Sequence, residues 1–395
     1  MDLQSEKALD RIVGMPLLML LKPIAMAAGR LTRRDHALEP RGRILVIKML
    51  GGGSLVIALP ALLGLRKAFP DLHLSLVTTV EVANFARTLD VFDEIIAIDR
   101  RSIFSLVSSS LRGLLRSRGV DTVLDFEVYS KLTSVFSILT GARNRLGFYL
   151  ESVLWRRPIQ THLVYFNRNA PVHLFYERMA GLLGSAPASY EECRDHVLRR
   201  LGAEEVRLRR GIAIGVGCSN LARERMLDAE QWREAISRRL SNDPALATET
   251  VSFLGGPEDA PLAETIAAGL RETGRFAEVR NLCGTLPLEG SLLLLLGVRE
   301  FWGIDSALIH YARLLGPRCV SFWGPTSPAC LLKPAPIREE VHYAAIPCSP
   351  CVHVAESPPC EGRNLCMTSL LRPLTEQEQR GLLPVLRPAA RPKAS

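Results

Sequence analysis

Three groups of residues in this sequence have types and spacings that could do chemistry. The first is Asp305-Ser306 with His310 four residues on, set between two apolar runs, Phe301 to Ile304 and Arg318 to Trp323. That pattern predicts strand, helix and strand, with Ser306 at the helix start and Gly316 in the left-handed conformation that ends it. N–H groups at such a helix start, facing the carboxyl edge of a parallel sheet, receive an anion, so a phosphate site is predicted. The plainer reading is an ordinary β-α-β unit with a core histidine. The second group is Asp125-Phe126-Glu127, which ends another predicted strand at a carboxyl edge. A carboxylate there could accept a proton; equally, Asp125 could cap the next helix and Glu127 could be a solvated rim charge. The third is Cys348-x2-Cys351-x8-Cys360-x5-Cys366. Four thiolates at this spacing could hold a tetrahedral, structural zinc, with disulfides and free thiols as the other readings.

The composition narrows the functions available. A chain of 395 residues is long enough for two domains with separate cores, and 47% hydrophobic with 23% charged residues describes a folded protein. A net charge of +8 and a pI near 9.1 suit an acidic partner such as a nucleotide sugar, an anionic glycolipid or an anionic membrane face. Nucleic acid is set aside, because aromatics are 6% and no Lys/Arg run is interleaved with them. Nine cysteines, an odd number, argue against a fully paired secreted framework and for a reducing cytoplasm.

The elements that must position these residues follow from periodicity. Residues 1–40 form an N-terminal segment whose apolar stretch, Ile12 to Ala28, is interrupted by Lys22 and Pro23 and is poor for a spanning helix. Asp2, Glu6 and Asp10 against a single Lys7 argue against a signal peptide. Arg11, Lys22, Arg30, Arg33 and Arg34 leave two readings, a segment in the inner-leaflet interface or a helix packed on the domain surface. Residues 41–201 alternate strand and helix. RILVIKML, LHLSLVTT, EIIAIDR, DTVLDFE and RNRLGFY are strands, GGGS is a turn, and SLVIALPALLGLRKAF is a helix. His162 and His173 fall in a loop-and-helix stretch. A charged, aperiodic linker runs from about Arg194 to Arg210. Residues 202–345 repeat the pattern with GIAIGVG, VSFLGGPEDAPLAETI and the buried helix SLLLLLGVRE. Residues 346–395 carry the cysteines, a polar helix and a basic tail. Gly51-x-Gly53 after a strand suggests a dinucleotide fingerprint only weakly, since Val56 holds the third glycine position. The fold class is α/β, with doubly wound parallel sheets.

These segments resemble glycosyltransferase family 9, the lipopolysaccharide heptosyltransferases, over roughly Arg43 to Met367. The resemblance rests on Gly303-Ile304-Asp305-Ser306-Ala307-Leu308-Ile309-His310, Phe322-Trp323-Gly324-Pro325-Thr326, Gly217-Cys218-Ser219, Arg225 through Trp232, Gly255-Gly256-Pro257-Glu258 and Asn281-Leu282-Cys283-Gly284. Lys48, Gly53 and Pro60 align with the family's Lys-x4-Gly-Asp and its later Pro, and Thr140 to Phe148 aligns with its Gly-Ala-x-x-Arg-x-Gly-Phe turn. The resemblance implies a GT-B architecture, two Rossmann-like domains facing across a cleft. The second would hold a nucleotide sugar, such as ADP-heptose, through Ser219, Arg225, Glu258, Asp305, Ser306, Ala307, His310 and Gly324. The first would hold a lipopolysaccharide core or related glycan through Lys48 and Gly53. Arg143 or Arg145 would meet its phosphates, the alternative being a structural strand-entry turn.

Two departures matter. Ala307 replaces the family's glycine beside the phosphate. Ser54 replaces the aspartate believed to deprotonate the acceptor, and a serine has no suitable pKa for that role. Glu127, with Asp125 second, is the expected substitute base. The implied activity is inverting transfer needing no cofactor, by a cytoplasmic protein at the inner face of the cytoplasmic membrane. The alternatives are an inactive glycan- or nucleotide-sugar-binding relative, which Ser54 would explain, and a nucleotide-sugar epimerase of the same architecture.

Overall fold

The computed structural model describes residues 8–157, 159–204, 208–218, 223–352 and 358–380. A π-helical turn, Asp10–Gly14, leads into α1, Met15–Thr32. Then come β1 (Arg43–Ile47), α2 (Gly52–Ala68), β2 (Leu74–Thr79), α3 (Val80–Leu89), β3 (Glu94–Ile98), α4 (Ile103–Arg116), β4 (Val120–Asp125), α5 (Lys131–Leu139), β5 (Asn144–Tyr149), β6 (His162–Tyr165), α6 (Val172–Gly181) and α7 (Tyr190–Arg200). The second half runs β7 (Ile212–Gly215), α8 (Ala229–Asn242), β8 (Thr250–Leu254), α9 (Ala260–Glu272), β9 (Glu278–Asn281), α10 (Leu288–Gly297), β10 (Glu300–Ile304), α11 (Ala307–Leu315), β11 (Arg318–Trp323) and β12 (Glu339–Tyr343).

Every strand pairing is parallel, and the strands form two six-stranded sheets ordered β3-β2-β1-β4-β5-β6 and β12-β11-β10-β7-β8-β9. Counted within its own half, each sheet has the order 3-2-1-4-5-6. Each therefore reverses direction once, between β1 and β4 in the first and between β7 and β10 in the second. An open parallel sheet receives its ligand at the carboxyl ends of the strands on either side of that reversal. The register fixes where those ends lie, with Ile47 beside Asp125 in one sheet and Gly303 beside Gly215 in the other.

The central strands are continuous apolar runs because helices cover both faces, as Leu45, Val46 and Ile47 show by being fully buried. The two halves share an apolar joint. Leu55, Leu59 and Leu62 of α2 belong to one buried cluster with Ile309, Ala312 and Leu315 of α11. Polar bonds pin this joint: the Tyr311 hydroxyl donates to the Phe85 carbonyl (3.2 Å), and Tyr190 Oη donates to those of Arg313 and Leu314.

Three expectations need correction. His162 opens strand β6, half-buried and paired with Leu146 of β5, rather than lying in a loop. The charged stretch read as a linker begins as helix α7, started by a Ser189–Glu192 capping box and buried through Cys193, Val197 and Leu198. Lys22 and Pro23 do not break the N-terminal segment. Asp10–Leu31 is one helix of 22 residues with mean hydropathy 1.8, long and apolar enough to cross a membrane by length and composition. It packs on α5 through Leu18 and Leu21 against Val135, Ile138 and Trp155. The Asp10 carboxylate accepts from the backbone N–H groups of Lys131 and Leu132, capping α5.

Candidate active site at the facing switch points

In the first sheet, Lys48 follows β1 and Glu127 lies just beyond β4, on either side of the reversal. Lys48 Nζ donates to Glu127 Oε1 (2.8 Å), and the backbone N–H groups of Met49 and Leu50 donate to the same oxygen (2.7 and 3.2 Å). Glu127 thus braces the turn that leads into α2. Burial would raise its pKa, but Lys48 and the two N–H groups outweigh burial and hold it below the ordinary carboxylate value. Lys48 is shifted upward in turn, since burial is outweighed by the field of Glu127. The Glu127 side chain keeps 16% exposure.

Asp125 behaves differently. It is fully buried, paired with the fully buried Arg156 (3.1 Å), and accepts from the Thr133 hydroxyl and the Glu127 N–H. Burial pushes it up to about 6 against the pull of Arg156. As a substitute base Asp125 is corrected: no acceptor hydroxyl can reach it, and its work is to hold Glu127 and the start of α5.

Ser54 is half-buried in the first turn of α2 and hydrogen-bonds Tyr176 of α6, a buried phenol that sequence reasoning missed because nothing distinguishes it from a core aromatic. Burial raises the Tyr176 pKa, so this phenol is neutral and is no base. Gly53 lies where the domains meet. A Cβ there would stand 2.8 Å from His310 Cδ2 and 3.4 Å from Ala307 Cα, so only glycine admits the start of α11 this closely.

In the second sheet, Asp305 follows β10 and Ser306 is the residue before α11. The expected cap is absent: the Ser306 side chain makes no cap bond, and its hydroxyl is buried without a hydrogen-bond partner among the described residues. A buried hydroxyl left open beside the N–H groups of a nine-residue helix can hydrogen-bond an anion. Asp305 is 6% exposed, with Arg225 Nη1 at 3.3 Å and His310 Nε2 at 3.8 Å. Burial opposes its ionisation, yet Arg225 and His310 hold it well below the ordinary range. Asp305 therefore orients two cationic or hydrogen-bonding side chains around the start of α11, and Ala307 is its first helical residue.

Glu258 is exposed at the rim, whereas its neighbour Asp259 is buried and accepts from the Gly256 N–H (2.9 Å). A Cβ on Gly217 would fall 1.8 Å from Asp259 Oδ1, so the two glycine turns exist partly to admit this carboxylate. Asp259 is a site residue that the Gly-Gly-Pro-x-Asp spacing could have signalled. Ser219 lies outside the described residues.

Three further assignments are corrected. Gly324 packs against the cysteine segment, since a Cβ there would meet Cys366 Sγ at 2.7 Å and Met367 Sδ at 2.8 Å. Arg143 precedes β5, at the amino edge of the sheet and away from the ligand edge. It donates to Asp121, Asp35 and the carbonyls of Ala37 and Glu39. Arg145 donates to the Ile159 and Ala142 carbonyls. Both arginines are clamps, as the strand-entry reading held. The four cysteines are near enough to influence one another electrostatically, but no group of three or more His, Cys, Asp or Glu among the described residues is arranged to hold a metal. Burial pushes Cys366 up to about 12 and Cys351 to about 11.

The two parallel six-stranded sheets thus carry an ionised carboxylate at one switch point and a helix start able to receive an anion at the other. Residues 182–360 match the family model described as glycosyltransferase family 9 (heptosyltransferase). Solved structures share the fold over most of this chain. E. coli heptosyltransferase WaaC with ADP superposes with a TM-score of 0.60 at 17% identity, covering 76% of this chain and 92% of that one. E. coli ADP-heptose lps heptosyltransferase II gives 0.56 at 16% identity, covering 83% and 98%. A glycosyl transferase family 9 structure from Veillonella parvula gives 0.58 at 18%, covering 77% and 86%. No curated protein matches the sequence.

Proposed function

We propose that this protein is an inverting, metal-independent glycosyltransferase that moves a sugar from a nucleoside diphosphate, on the pattern of ADP-heptose, to a lipopolysaccharide core or related envelope glycan. The observation that carries this reading is the meeting of the two switch points. Gly53 brings the Glu127-braced turn against Ala307 and His310, so an acceptor on the first rim and a diphosphate on the second would be adjacent. The solved structures of WaaC with ADP and with ADP-2-deoxy-2-fluoro heptose support the choice of donor.

Glu127 accepts the proton of the acceptor hydroxyl as its oxygen bonds to the anomeric carbon and the bond to the diphosphate breaks. Its pKa, held low by Lys48, keeps it ionised and makes it a modest base, so the larger share of catalysis falls to stabilising the leaving group. That share comes from the Ser306 hydroxyl, the N–H groups opening α11, His310 and the positively charged Arg225 that Asp305 aligns. Ser54, tied to Tyr176, orients the acceptor rather than deprotonating it. The reaction takes place in the cytoplasm, at the inner face of the cytoplasmic membrane.

The test is consumption of ADP-heptose with a lipopolysaccharide-core acceptor by wild type and Glu127→Gln. Loss of about a hundredfold in kcat with ADP affinity kept supports the assignment. Normal turnover in Glu127→Gln removes Glu127 from the mechanism. Binding of nucleotide sugar without any turnover by wild type favours the inactive relative that Ser54 suggests.

A further inference from the structure

Helix α4 carries apolar residues on two sides. Its inner side is Leu106, Ser109, Gly113 and Leu114, with Ser117 just beyond, and a Cβ on Gly113 would stand 3.2 Å from Ile96 and Ile98 of β3. Its solvent side is Phe104, Val107, Leu111 and Leu115, at spacings of three, four and four residues that place them in one stripe. Phe104 is 82% exposed and the other three exceed half. An amphipathic helix packed on a sheet ordinarily leaves its outer side polar.

The second apolar face lies beside it. Helices α4 and α1 both pack against α5, on the face of the first sheet opposite the α2–α11 joint. Met19, Leu20 and Ile24 of α1 are all more than half exposed. The charge around both faces has one sign. Residues 11–34 hold five Lys or Arg and no acid, and residues 100–118 hold another five and no acid. Arg101 and Arg116 pair with Asp99 and Glu94, which lie outside those segments. Arg100 pairs likewise with Glu81, and a second copy of this chain docking face to face would still set an excess of cations against an excess of cations. An anionic bilayer surface complements both features, taking the apolar stripes into its interface while its headgroups meet the arginines.

We propose that α1 and α4 together form one membrane-docking surface for anionic lipid, with α4 as a second contact lying in the plane of the interface beside α1. This deepens the inner-face reading above, and its test reads lipid binding without any sugar transfer, so the two can fail separately.

The test is co-sedimentation of the full chain with vesicles of roughly three parts phosphatidylcholine to one part phosphatidylglycerol, and with pure phosphatidylcholine. Wild type is expected to favour the anionic vesicles, and Phe104→Ser/Leu111→Ser to bind them at least about tenfold more weakly, since each side chain contributes separately to burial in the interface. Arg112→Glu is expected to weaken anionic binding and leave the residual phosphatidylcholine binding unchanged. Because these residues are exposed, the thermal midpoint of each variant should equal that of wild type, which separates lost docking from lost folding. Undiminished binding by the Phe104/Leu111 variant overturns the proposal, leaving α1 alone as the anchor. A wild-type dimer in light scattering that the same variant splits also overturns it, giving the face to a second copy.

Discussion

Replacing Glu127 by Gln tests the brace at the first switch point through stability as well as turnover. The amide oxygen can still accept from the Met49 and Leu50 N–H groups, so those bonds, worth about 1 kcal/mol each, are largely kept. What is lost is the charge facing Lys48, which is 6% exposed. Leaving one member of a buried pair alone costs about 3–5 kcal/mol in other proteins, and the residual exposure of Glu127 and the nearby Asp125 place this case near the lower end. Lys48 has an escape, which is to lose its proton. Against an unfolded value of about 10.4, that caps the penalty at roughly 4.6 kcal/mol at pH 7.

The sign of the pH dependence follows. In wild type the Glu127 pKa is lowered, so its stabilisation is present above the unfolded value and fades as pH falls through the folded one. Across neutral pH the wild-type contribution is flat. In Glu127→Gln the folded Lys48 pKa drops below its unfolded value, the unfolded state binds more protons, and stability recovers as pH rises. The assay is thermal and urea unfolding of wild type, Glu127→Gln, Lys48→Met and the double variant, from about pH 6 to about pH 9. The expected result is a destabilisation of about 3 kcal/mol at neutral pH that shrinks toward pH 9 and is largely restored in the double variant. A pH-independent loss with no rescue by Lys48→Met would refute the buried ion pair.

Arg143→Ala should lower stability by about 1–3 kcal/mol, because it removes charge-assisted bonds to Asp121 and to the 35–39 segment, and leave kcat and acceptor KM unchanged in a transfer assay. Gly324→Ala should cost about 1–3 kcal/mol in urea unfolding through overpacking against Cys366 and Met367, with nucleotide affinity intact. Treatment with a chelator should leave the thermal midpoint unchanged, since no metal-ligand group is assembled by the C-terminal cysteines among the described residues.

Much of the fold was legible because parallel strands buried on both faces read as uninterrupted apolar runs. β1, β2, β3, β5, β7 and β11 fall within the stretches predicted from sequence, and β4, β8 and β10 begin one residue before theirs. The edge strands β6, β9 and β12 were not seen, since their half-exposed faces carry residues such as His162, Arg280 and Glu340 that look like loop. Helix α7 was hidden by its charge, although Ser189 and Glu192 spelled its capping box. At the site, Asp305 and Glu127 were legible because each ends a strand at a carboxyl edge. Tyr176 was not, because its partner Ser54 lies far away in sequence and only the fold joins them, and Asp259 was passed over for its neighbour Glu258. Arg143 stayed open to two readings for a related reason: spacing gives no hint of which end of the sheet a turn occupies.

The central claim is that the start of α11 receives a nucleoside diphosphate. Its most direct test is the thermal shift of wild type and Ser306→Ala with ADP, UDP, GDP, CMP, ADP-heptose and NAD. The Ser306 hydroxyl has no partner among the described residues, so its removal should leave the ligand-free midpoint unchanged. The account predicts that ADP and ADP-heptose raise the wild-type midpoint, and that Ser306→Ala needs about tenfold more ligand for the same shift. No shift with any nucleoside diphosphate, or a shift with NAD alone, would contradict it.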